Sequence, residues 1–161
     1  MQTAFEFELP NVGAGSDPLA LSAVADEHDF VLLLFQRDYY CTNCRKQVQA
    51  VRDKYPAFEE RDTEVVSIVP EPAEKVREWQ DSYDLPFPLC ADPDASVSGE
   101  YDQPVRFGVL GKISDFFGRM PKAVLLDCRG GEPELAYSHE GSSTWDRPEV
   151  EELLDEIDRL A

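Results

Sequence analysis

The sequence predicts an α/β domain with a mixed central β-sheet and helices on both faces. Three observations carry that expectation. Residues 30–35 form an unbroken apolar run, strand-like and helical patterns alternate on either side of it, and a strand-turn-strand pattern followed by a helix closes the chain.

Taken in order, residues 4–9 (AFEFEL) alternate apolar and polar and predict a strand with one buried face. Residues 11–18 are rich in Gly, Asp and Pro and predict a loop, with a short helical turn capped by Ser22 after it. The 30–35 run predicts a strand covered on both sides of a sheet. From Cys44 onward Val48, Val51, Tyr55 and Phe58 recur at helical spacing. Residues 63–69 (TEVVSIV) predict a second strand, 71–83 a polar helix carrying Val76 and Trp79, and 85–90 a short strand between prolines. A short helix is expected after Ala91-Asp-Pro-Asp. Within 103–119 only SDFFGR has a helical signal, and the apolar 105–117 stretch reads either as a loop over the core or as the interface of a homodimer. Residues 122–127 predict a strand and 133–139 its partner across an Arg-Gly-Gly-Glu turn. The last helix is expected to start at Asp146, with Glu149 completing a capping box, so "DRPEVEELL" reads as a helix start and not as a site. No repeat or linker interrupts the pattern, and residues 1–161 are expected to form a single domain.

Composition narrows the function. Asp and Glu number 33 against 15 Lys and Arg, a net charge of −18. Such a surface repels phosphate backbones and anionic lipid, so no nucleic acid and no membrane are expected as partners. The spread of the acid along the chain, with few lysines, is that of a salt-adapted protein. No apolar run approaches the ~18 residues of a membrane span, and the N-terminal MQTAFEFELP carries no export pattern, so the expected location is cytoplasmic. Four cysteines in that setting point to catalysis or metal binding more than to a structural framework.

The chemistry concentrates in VLLLFQRDYYCTNCRKQVQAV, where Cys41 and Cys44 open a helix directly after a strand. A thiol reacts as thiolate, and the N-terminal turn of a helix favours that form through unpaired N–H groups and its positive dipole end. Spacing i, i+3 lets the two sulfurs meet, so one resolves a disulfide formed on the other. Arg37 and Arg45 lie close in sequence and are candidate charges, and Tyr39 and Tyr40 a flanking apolar collar. Zinc shares the CxxC spacing but takes four ligands, and the chain has no second CxxC and no HxxxH, so no metal is expected. Cys90 is a candidate extra thiol, whereas Cys128, His28 and His139 read as structural.

The chain resembles the thioredoxin-fold redoxins, and within them the alkyl hydroperoxide reductase/thiol-specific antioxidant (peroxiredoxin-like) family. The resemblance rests on FELPNVG and LALS near the start, VLLLFQRDYYCTNCR at the cysteine pair, FPLCADPDASVSGEYD in the middle and MPKAVLLD late. It implies a thioredoxin-like fold and thiol-disulfide oxidoreduction with antioxidant chemistry. The substrate would be a protein or small-molecule disulfide, or a peroxide, and the reductant thioredoxin-like. No cofactor is implied beyond a redox-active Cys41–Cys44 disulfide. Met120-Pro121 resembles the cis-proline that positions substrate. In one reading Cys41 is the nucleophile and Cys44 resolves; in the alternative Cys44 is the peroxidatic thiol and Cys41 closes the disulfide. A third reading, of another class, is a non-catalytic binding module.

The chain departs from the family pattern at each peroxide-activating position. Cys41 stands where the family has Thr, Arg37 where it has Pro, and Pro121 where it has Arg, which leaves Arg37 or Arg45 as the expected substitute charge. Thioredoxins flank their pair with Trp and Gly-Pro and bury an Asp six residues upstream. Here Tyr40, Thr42-Asn43 and Phe35 occupy those places, so resolution of a mixed disulfide is expected to be slower or to use another base.

Overall fold

A computed structural model gives the structure and describes residues 3–101, 120–143 and 145–161. Its main sheet has five strands in the order β5-β4-β3-β6-β7. These are β3 (Phe30–Phe35), β4 (Thr63–Val69), β5 (Leu89–Ala91), β6 (Lys122–Asp127) and β7 (Glu134–Glu140). β3, β4 and β5 run parallel, while β6 is antiparallel to β3 and β7 to β6. The sheet is therefore mixed, as the sequence implied.

Every residue of β3 is buried because alternate side chains enter two different apolar layers. Phe30, Leu32 and Leu34 pack with Val48, Val51, Phe58, Trp79, Leu153 and Ile157. Those partners come from α2 (Thr42–Asp53), α3 (Tyr55–Glu59), α4 (Ala73–Tyr83) and the last helix, α6 (Val150–Leu160). Val31, Leu33 and Phe35 face the opposite layer with Phe7, Leu9, Leu21, Ala25 and Val97. That second layer is built by α1 (Leu21–Glu27), α5 (Ser96–Glu100) and the N-terminal segment, whose β1 (Glu8–Leu9) and β2 (Leu19–Ala20) make a two-stranded antiparallel ribbon. Burying Trp79 or Phe58 at this density means that truncation to Ala costs about 3–5 kcal/mol.

Several boundaries differ from the sequence reading. The expected strand at 4–9 shrinks to Glu8–Leu9 plus one bridge from Thr3 to Glu134. Ser22 is not a cap: the helix starts at Leu21, and the Ser22 N–H donates to the Glu6 carboxylate. The helix after the cysteines is two helices, broken at Lys54 where Pro56 cannot donate into the first ladder. The strand expected at 85–90 is paired only over Leu89–Ala91, since the prolines at 86 and 88 lack N–H donors. The readings for 103–119 lie outside the described residues.

The last helix holds the correction that matters most. It begins at Val150 with Glu149 at its N-cap, not at Asp146, and no side chain caps it. Pro148 explains this, because a residue preceding proline is pushed out of the α region into extended backbone. Arg147 is therefore left in the loop ahead of the helix. Strand register decides where that loop emerges. Phe35 at the end of β3 pairs with Lys122 at the start of β6, and Lys122 pairs with Glu140 at the end of β7. The loops after β3 and after β7 thus leave the sheet at one edge.

Candidate active site: a cysteine pair under a guanidinium

Cys41 is the N-cap residue of α2 and Cys44 lies in its first turn. Their Cα atoms are 5.2 Å apart with the sulfurs at disulfide distance, within the usual span for such a bridge. Both are buried, Cys44 completely and Cys41 to 4% exposure. The Cys44 N–H donates to Cys41 Sγ at 3.1 Å, so the helix start points one of its free amides at a sulfur. The Arg37 N–H donates to Cys44 Sγ at 3.2 Å.

The strongest donor comes from the far end of the chain. Arg147 Nη2 donates to Cys44 Sγ at 2.8 Å and to Cys41 Sγ at 3.3 Å. Its Nη1 donates to Gln47 Oε1 at 2.9 Å and Gln36 Oε1 at 3.2 Å, which fixes the plane of the guanidinium. Gln36 is in turn held by Ser67, to whose Oγ its amide donates at 3.0 Å. Burial, and after it the charge of Arg37, bring the Arg147 pKa down to about 10, so the cation persists at neutral pH.

The loop carrying Arg147 is anchored from both sides. Asp146 takes the Ser142 N–H and hydroxyl on one carboxylate oxygen, and His139 Nε2 lies 2.8 Å from the other. Those contacts, Ser142 first, hold the Asp146 carboxyl below its ordinary range. Gly141 donates to the Pro121 carbonyl at 2.8 Å, and a Cβ at Gly141 would stand 2.7 Å from the Pro121 ring. Only a glycine lets the loop lie so flat there.

The sequence-predicted residues divide accordingly. Cys41 and Cys44 are together. Arg37 contributes its backbone amide, while its side chain pairs with the buried Asp38 at 3.0 Å. Arg45 does not face the sulfurs: it donates twice to the Tyr39 carbonyl and lies over the Tyr39 and Trp79 rings, which clamps the preceding loop. Tyr40 is 59% exposed and stacks edge-on against the half-buried Tyr39, and of the two only Tyr39 packs against the core. Pro121 is buried and lines a small cleft with Gln47 and Arg147. Its bond to Met120 is not cis; among the described residues the cis bond is at Asp17–Pro18. Pro121 therefore backs the Arg147 loop. Cys90 is fully buried in the opposite layer of the sheet, where burial pushes its thiol up to about 12. The structure does not bring it to the pair.

Among the described residues the guanidinium that donates to the two sulfurs is that of Arg147. One signal in the sequence pointed to it: an Arg-Pro dipeptide cannot continue a helix, so the arginine had to sit in a loop. Beside it, a groove of about 320 Å³ runs between α2 and the 145–150 segment, lined by Asn43, Lys46, Gln47, Trp145 and Arg147. Trp145 on its wall is 79% exposed. Among the described residues no three His, Cys, Asp or Glu side chains are placed to hold a metal.

Comparison with known proteins addresses the family and the fold. Residues 1–126 match the profile of the AhpC/TSA family. Peroxiredoxin Q, chloroplastic, of Oryza sativa subsp. japonica is 33% identical over 99 residues, covering 60% of this chain and 41% of that protein. The chain thus spans about two fifths of that relative's length. Among solved structures, peroxidoxin BcpB of Mycobacterium tuberculosis superposes with a TM-score of 0.80 at 21% identity, over 99% of this chain and 96% of that one. Plasmodium vivax 2-Cys peroxiredoxin gives 0.78 at 20% identity, over 98% and 93%. With a thioredoxin-like sheet, a CxxC pair opening α2 and this match over more than half its length, the chain belongs to the AhpC/TSA family.

Proposed function

We propose that the protein is a thiol-dependent peroxide reductase in which Cys44 attacks and Cys41 resolves. The observation that supports this reading is the convergence of the Arg147 guanidinium and the Arg37 amide on Cys44 Sγ. Two donors on one sulfur favour the thiolate. They also favour the negative charge that develops on the peroxide oxygens as the O–O bond breaks. In this scheme the Cys44 thiolate takes the terminal oxygen of ROOH to become a sulfenic acid and releases RO⁻. The Cys41 thiol then attacks that sulfur, forming the disulfide and expelling water. A thioredoxin-like dithiol restores the pair. A sulfur with no exposed surface suits a reagent as small as a peroxide, and the relatives that match are peroxiredoxins.

A second reading, disulfide exchange with Cys41 as nucleophile, has its own support: Cys41 is the helix-capping sulfur and the less buried of the two. One experiment separates them. The reduced protein is treated with peroxide or with oxidised glutathione, and modified cysteines are mapped by mass spectrometry over time. Sulfenic acid appearing first on Cys44 under peroxide supports peroxide reduction. Sluggish peroxide reaction with fast glutathione-driven Cys41–Cys44 closure supports exchange instead. Unreactive thiols under both would leave a binding module.

The setting belongs to the same proposal. A net charge of −18 supports a salt-rich cytoplasm, where counterions screen self-repulsion. The measurement is thermal unfolding against potassium chloride, with the midpoint rising as salt is added. A homodimer is a further part of the proposal, tested by sedimentation. Among the described residues no helix is long and apolar enough to cross a membrane.

A further inference from the structure

We infer that Asp38 is the proton store of the redox pair: its carboxyl gains a proton when the Cys41–Cys44 disulfide is reduced and gives it up when a peroxide is reduced. The inference rests on the peroxide-reductase reading and adds to it the group that handles the proton. It begins from an anomaly. Asp38 is 2% exposed, its Oδ2 accepts from Arg37 Nη1 at 3.0 Å, and its Oδ1 has no hydrogen-bond partner among the described residues. An ionised carboxylate is an acceptor at both oxygens, and leaving one buried and unmatched is costly.

Its position ties it to the sulfurs. Asp38 follows the residue whose amide donates to Cys44 Sγ and precedes Cys41 by three. The groups that face it are the Arg37 and Arg147 cations and the N–H groups of Tyr40 and Cys41. All of these favour the charged carboxylate, yet burial outweighs them and holds the Asp38 carboxyl above its ordinary range. That balance exists with the sulfurs bonded to each other and uncharged. A thiolate formed on Cys44 adds a second anion to the same enclosure and moves Asp38 further in the same direction.

The steps balance. On reduction, a dithiol R(SH)₂ and the disulfide become the cyclic disulfide of R, with two electrons passing to the pair. Its two protons go to Cys41, as thiol, and to Asp38, as carboxylic acid, while Cys44 is left as thiolate. One negative charge has moved from Asp38 to Cys44. On oxidation, the Cys44 thiolate takes an oxygen from ROOH, and the proton from Asp38 completes the alcohol ROH. The Cys41 thiol supplies the proton of the departing water as the disulfide closes. Asp38 ends as carboxylate, as it began.

The test is infrared difference spectroscopy of the full chain, oxidised against dithiol-reduced, beside Asp38→Asn and Glu64→Gln. Glu64 is the control because burial also raises its carboxyl, while its partners are Tyr55 and Val65, near the start of β4. Reduction is expected to produce the carbonyl stretch of one protonated carboxylic acid in the wild type and in Glu64→Gln, and none in Asp38→Asn. Peroxide turnover in Asp38→Asn is expected to fall about a hundredfold, the scale of one lost proton-transfer group. No acid band on wild-type reduction, or a band that persists in Asp38→Asn, overturns the proton store. Mass spectrometry on the same samples keeps the two ideas apart. If peroxide never closes Cys41–Cys44, the peroxide-reductase reading falls and the store with it; a closing disulfide without the band removes the store alone.

Discussion

Two pairs of cysteines occupy opposite sides of one sheet, and all four are buried. Cys41 and Cys44 receive an amide each and share a guanidinium. Cys90 and Cys128 are free thiols pushed up to about 12 and about 11, in both cases by burial above all. Burial by itself thus favours the protonated thiol. What separates the two pairs here is the set of donors aimed at the sulfurs, and the strongest of those comes from a residue more than a hundred positions away.

The contrast is sharpest when one cysteine from each side is removed. Cys44→Ser is expected to abolish peroxide consumption, while Cys90→Ala leaves its rate unchanged; a coupled assay with a dithiol reductant measures both. If Cys90→Ala also lost activity, the two sides of the sheet would not be chemically separate. Next in size is Arg147→Ala. Losing one preorganised donor costs about 2.7–4 kcal/mol, a fall of about a hundredfold to a thousandfold in turnover, with Arg147→Lys recovering part of it. The pH profile of Cys44 alkylation in Arg147→Ala should move toward alkaline pH, which a merely structural defect would not do.

Asp146→Ala tests the anchor and not the donor, so a loss of about tenfold is expected, well short of Arg147→Ala. Its pH dependence has a definite sign. Because the folded carboxyl is held below its ordinary range, the anchor is fully present above about pH 4, the unperturbed value. It is lost only as pH falls through the depressed folded value. Cys44 alkylation compared between pH 7 and pH 4 should thus show no release of the Arg147 loop. The smallest effect belongs to Cys90→Ser, which places a hydroxyl in the second apolar layer at a cost of about 1–3 kcal/mol in urea unfolding, with turnover unaffected.

Much of the architecture could be read before any coordinates because it is locally encoded. The run at residues 30–35 is apolar throughout because both of its faces are covered, and the β-branched run at 63–69 marks its parallel neighbour. Prolines and short segments blurred the boundaries. The ribbon of β1 and β2 is two residues per strand, too little for any periodicity to register, and Pro56 split what looked like one helix. The cysteine pair was equally legible, since a strand, two thiols three apart and a helix start lie within one short stretch of chain.

Sequence by itself thus determined the layered α/β sheet, the place of Cys41 and Cys44 at its carboxyl edge, and the excess of acid on the surface. Each follows from hydrophobic period, residue spacing or charge count, which are properties of neighbours along the chain. Only the tertiary structure decided which cation serves the sulfurs. Proximity in sequence favoured Arg37 and Arg45, but Arg45 turns to the Tyr39 carbonyl and Arg37 to Asp38. Arg147 wins because antiparallel pairing of β6 and β7 returns the chain to the edge where β3 ends, and Pro148 keeps the arginine out of the helix that follows. The same packing buried Asp38 beside the pair with one oxygen unmatched, a property of the enclosure that no spacing of residues encodes.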